Sequence, residues 1–200
     1  MEVAAALVVD LVLEVMESLS IHWLFPTINM NVLSILNQLG VTIGKWNELT
    51  SSKNFEEFSF GYMPPRDSTL MYVASQKIAK WLDVRDFFIL QIDNSTSPMD
   101  DEVNIFQTLI VPCGGGFDIS EQRSYFFAKS DKAMDVRGLL VLIVYFSILF
   151  SWHVHLISDA SSNGSRIAIQ DGVIYFIGDG EAIEKSKELI SVLEKNPLSI

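Results

Sequence analysis

The chain has 200 residues, enough to bury a full apolar core without disulfides or metals. A formal charge of −11 and a sequence pI near 4.6 argue against nucleic acid or an anionic membrane surface as partner, because both reward Lys and Arg. The single cysteine, Cys113, excludes an intrachain disulfide and any multi-cysteine zinc site.

No Lys or Arg precedes Lys45, so the start lacks the basic stretch of an export signal. The expected location is the cytoplasm. Residues 2–19 read as a helix that is apolar around most of its circumference. Asp10, Glu14 and Glu17 fall at i, i+4 and i+7 and form one narrow acidic stripe. The stripe is either the wet edge of a buried helix or the contact for a basic protein partner. In the second case complementarity mainly raises the association rate.

The segment NMNVLSILNQL predicts a short helix that stops at Gly40, a natural left-handed cap. Phe58, Phe60 and Tyr62 alternate with Ser59 and Gly61, the pattern of a strand ended by Pro64 and Pro65. Asp67 is placed to cap a helix whose Leu70, Ala74, Ile78, Trp81 and Leu82 share a face. FFILQI at 87–92 reads as a buried strand, Ser97-Pro98 as a helix start, and RSYFFAK at 123–129 as another strand.

From Gly138 to Ile157 there are twenty residues without Asp, Glu, Lys or Arg. Read whole, the run could be a membrane span. However, WHVHLIS at its end alternates as a strand does, and removing it leaves 138–151. Fourteen residues rise about 21 Å as a helix, short of the roughly 30 Å hydrocarbon core. The run therefore reads as a core helix, with charged Asp131, Lys132, Asp135 and Arg137 in its first turns. Downstream, Asp171-Gly172 between RIAIQ and VIYFI is a strong hairpin signal. A two-residue turn pairs Gln170 with Val173, Ile169 with Ile174 and Ile167 with Phe176. A closing helix runs from Asp179 to Lys195.

Three features carry possible chemistry. His153 and His155 sit two apart on a predicted strand, where both imidazoles point the same way, and Asp159 could add a carboxylate to a metal site. The ordinary alternative is a histidine pair on the polar face of a half-buried strand. Cys113 before Gly114-Gly115-Gly116 could be a nucleophile beside backbone donors, or a small buried hydrophobe before a loop. Gly40 to Trp46 resembles a phosphate loop but is one residue short, with Trp46 where a hydroxyl must hold magnesium.

The expected fold is a single α+β domain: an antiparallel sheet, with a C-terminal three-strand meander, covered by helices. Residues 1–40 form a helical segment, 41–130 a mixed α/β part and 131–200 a helix–meander–helix unit. The expected function is a non-catalytic acidic domain that docks on, or neutralises, a basic protein through Asp10, Glu14 and Glu17. No cofactor or metal is expected, and the oligomeric state stays open. The alternatives are a small hydrolase or small-molecule-binding enzyme using Cys113 or His153 and His155, and a single-pass membrane protein spanning about 138–157.

Overall fold

The computed structural model describes residues 32–43, 49–51, 56–93, 116–119, 123–129, 136–161 and 164–195. The elements in chain order are α1 (Val32–Gln38), β1 (Val41–Ile43), β2 (Leu49–Ser51), β3 (Phe58–Tyr62) and α2 (Ser68–Trp81). Then come β4 (Phe87–Asp93), β5 (Gly116–Ile119), β6 (Arg123–Lys129) and α3 (Val136–Leu149). The chain closes with β7 (Val154–Ser158), β8 (Arg166–Gln170), β9 (Val173–Gly178) and α4 (Gly180–Lys195).

Seven strands form one antiparallel sheet in the order β3-β9-β8-β7-β4-β6-β5, and β1 pairs with β2 as a separate ribbon. The expected α+β fold is the one the chain adopts. The meander β7–β8–β9 is present, and its hairpin has the anticipated register, with Gln170 opposite Val173 and Ile167 opposite Phe176. Asp171 and Gly172 both have positive φ, 52° and 76°, as a type I′ turn demands. A Cβ on Gly172 would meet nothing closer than 3.7 Å, so space is no obstacle. Gly172→Val should therefore cost only the backbone strain, about 1–2 kcal/mol. A thermal melt checks this, and an unchanged midpoint would count against the strain.

One sheet face is the main core. Phe88, Leu90, Phe126, Leu156, Ile167 and Phe176 project from it against Ile78 of α2, Leu140 and Ile143 of α3, and Ile190 of α4. The helices form as their termini dictate. Asp67 accepts hydrogen bonds from the N–H groups of Thr69 and Leu70, capping α2. Its buried face contains the expected Ala74, Ile78 and Leu82 but is wider, since Met71, Val73 and Ala79 are buried too, while Leu70 and Trp81 are only half-buried. Packing against α3 and α4 as well as the sheet accounts for the extra width.

The opposite face carries Ile89, Tyr125, Phe127 and Ile157, which pack on Val32, Leu36, Val41 and Leu49 of α1 and the ribbon. Cover is thus not helical on one side alone, as the sequence suggested. Burial on both faces also explains why FFILQI is a continuous apolar run. Arg166 joins this second layer to the sheet. Its guanidinium donates to both carboxylate oxygens of Glu57, at 2.5 and 2.9 Å, and to the Leu49 carbonyl at 2.6 Å. Gly164 makes the approach possible, since a Cβ there would lie 2.9 Å from the Gly40 carbonyl oxygen.

The helix α3 ends at Leu149 and a strand begins at Val154, so residues 138–157 do not form one continuous helix. Among the described residues no helix is long and apolar enough to cross a membrane. The helix predicted for 2–19, the helix start at Ser97-Pro98, and Cys113 lie outside the described residues.

Candidate functional site

A cleft lies where α2 ends and α4 begins. It encloses about 430 Å³, within the span of small-ligand sites. Three local structures build it. The helix α2 stops because Asp83 turns left-handed, with φ 48°, and its N–H bonds the Lys80 carbonyl. Ser158 then ties the helix end to the sheet by donating its hydroxyl to the Leu82 carbonyl at 2.5 Å. Asp159 does the same for the following loop, accepting the Arg85 and Asp86 N–H groups at 2.9 and 2.8 Å. At the other wall Asp179 caps α4 through the Ala182 N–H.

The resulting walls carry Asp83, Asp179 and Glu181 with Lys185, and Arg85 reaches within 3.9 Å of the Asp83 carboxylate from outside the lining. Lys185 Nζ lies 2.7 Å from Glu181 Oε1, and that hydrogen bond holds the ammonium above its ordinary pKa. Trp81 contributes an aromatic surface and sets its edge on Phe176, ring centres 5.0 Å apart. The lining is therefore acidic on balance, with one large ring and the Ser161 and Ser165 residues. Such a site favours a cation over an anion.

A smaller cleft of about 290 Å³ lies between the end of β3 and the end of α4. There burial, and then the nearby Glu194 carboxylate, push the Tyr62 hydroxyl above its ordinary pKa of 10.0.

The residues singled out from the sequence are dispersed. His153 precedes β7 and places Nε2 3.0 Å from Asp171 Oδ1 at the hairpin turn. His155 is half-buried within β7, opposite Gln91 and Ala168. Asp159 sits past the far end of that strand with its carboxylate occupied by backbone N–H groups. The structure therefore does not bring the three together as a ligand set. Among the described residues no group of three or more His, Cys, Asp or Glu could hold a metal. Asp10, Glu14, Glu17 and Cys113 lie outside the described residues.

The cleft was not foreseen, because its walls come from three segments remote in the chain. The one local signal was the Gly178-Asp179-Gly180 junction, where a strand passes into a capped helix. In comparisons with known proteins, no family model, no curated protein and no solved structure matches this chain.

Proposed function

We propose that this is a non-catalytic acidic binding domain of the cytoplasm, whose cleft receives a cationic side chain of a basic protein. The observation that carries the reading is the cleft's charge: Asp83, Asp179 and Glu181 against Lys185, with Trp81 in the same lining. A guanidinium or ammonium entering it meets carboxylates and an aromatic ring together, the two features that favour such a group. The formal charge of −11 acts at longer range by steering a basic partner toward the surface. The stripe Asp10, Glu14 and Glu17 is assigned to the same partner.

An arginine-rich peptide titrated at low salt tests the cleft, with Asp83→Asn/Glu181→Gln as the shape-preserving control. Exposed charge pairs contribute about 0.2–1 kcal/mol each, so the double variant should bind about two- to thirtyfold more weakly. Asn tolerates the left-handed backbone at position 83, so the fold is retained. Equal binding by wild type and double variant would sink the reading.

A further inference from the structure

The helix α3 is not buried all round. Gly138, Leu142, Tyr145 and Leu149 follow one another at spacings of four, three and four, the interval of a coiled-coil seam. This seam faces outward. Gly138 and Leu142 are exposed, Tyr145 and Leu149 are half-buried, and Phe150 continues the stripe at 39% exposure. Tyr72 of α2, 42% exposed, borders it and meets Tyr145 edge to face at 6.1 Å. No charged residue occurs in the chain between Arg137 and Asp159, so beyond the first turn of α3 only the Tyr145 hydroxyl suits this seam to water.

We infer that this face of α3 pairs with the same face of a second copy of the chain, antiparallel and about a two-fold axis. Both shape and charge are self-complementary in that arrangement. A Cβ on Gly138 would meet nothing within 4 Å, so the first turn presents a flat, open spot. The last turn presents the opposite, a bulk of Leu149 and Phe150. Phe150 is held in place by rings on both sides, Phe146 at 6.0 Å and Trp152 at 5.1 Å. An axis between Leu142 and Tyr145 lays Leu149 and Phe150 of one copy on Gly138 of the other, and Leu142 on Tyr145.

The charges follow the same symmetry. Exposed Arg137 stands at the first turn, anchored by its Nε donating to the Val84 carbonyl at 2.9 Å. Asp171, with its side chain 78% exposed, stands at the other end, in the hairpin turn that abuts Ile148 and Ser151. Antiparallel pairing brings each Arg137 toward the acidic end of the other copy, where the helix dipole is also negative. A purely basic partner would leave Arg137 unmatched, which is why a second copy, carrying both charges, is the better fit. Repulsion between two acidic copies is screened beyond about 8 Å at physiological ionic strength.

Sedimentation velocity of the full chain at physiological ionic strength, over a range of concentrations, is the test. The wild type should sediment as a dimer, while Leu142→Glu raises the dimer dissociation constant about a hundredfold by burying a charge in the seam. The Cβ of Gly138→Trp enters open space and the residue is exposed, so the variant should keep the native melting profile and still lose the dimer. This variant decides the matter if Leu142→Glu folds poorly. A wild type that stays monomeric at every concentration overturns the inference. So does a folded Gly138→Trp that dimerises as tightly as wild type.

Discussion

Arg166→Met should lower folding stability by about 3 kcal/mol, the low end for removing one partner of a buried ion pair. The low end applies because Glu57, left behind, keeps 27% of its side chain in water. Part of the loss comes from the Leu49 and Gly164 carbonyls, which both accept from the guanidinium. A buried acceptor stripped of its donor costs about 1–3 kcal/mol. Glu57→Gln keeps one acceptor but turns the other into a donor facing the guanidinium, and should cost about 1–3 kcal/mol by the same reasoning. Urea unfolding measures both. If Arg166→Met unfolds at the wild-type midpoint, the ribbon and α1 are held to the sheet by apolar contacts alone.

The other large effect is expected at Phe176, whose side chain has no solvent exposure and which meets the rings of Trp81 at 5.0 Å and Phe60 at 6.4 Å. Phe176→Ala should cost about 3–5 kcal/mol, transfer and cavity terms together. The site sits under α2, α4 and β3 at once, so no single element can move in to refill it. Phe176→Leu keeps most of the volume and should retain the greater part of the stability. A loss below about 1 kcal/mol for the alanine would mean the neighbours collapse into the space.

Much of the local structure was legible before the fold. Asp171-Gly172 fixed the hairpin and therefore every pairing across it, because a slip of one residue would expose Ile167, Ile169, Ile174 and Phe176 together. The twenty-residue apolar run was readable too, since the alternation of Val154 and Leu156 with His153 and His155 shortens any helix. The order of strands was not readable. Nothing in FFILQI says that its neighbours are β6 and β7, because backbone pairing is indifferent to side-chain identity at that distance.

The burial of Arg166 was not legible for a similar reason: its face of the sheet is roofed there by Leu49 and Glu57 from over a hundred residues upstream. The cleft beside Trp81 was hidden in the same way. Asp83, Ser161 and Glu181 have no sequence spacing that links them. The outward seam of α3 could have been found: its period was present, but uniform hydrophobicity masked which side faced inward.

The position of β4 governs how the sheet can be assembled. It lies between β7 and β6, and neither is its neighbour along the chain. Phe88 pairs with Ser158 across roughly 70 residues, whereas β8 reaches β9 through a two-residue turn. Closing a loop costs entropy that rises with its length, by about 0.6 kcal/mol per doubling. The meander with α4 should therefore condense first from local contacts, with β5 and β6 joining once β4 is seated, an order that pulse-labelled hydrogen exchange during refolding would check. That strand is the splice of the fold. Its amides, shielded by a strand on each side and a packed layer on each face, exchange with solvent only when the whole sheet comes apart.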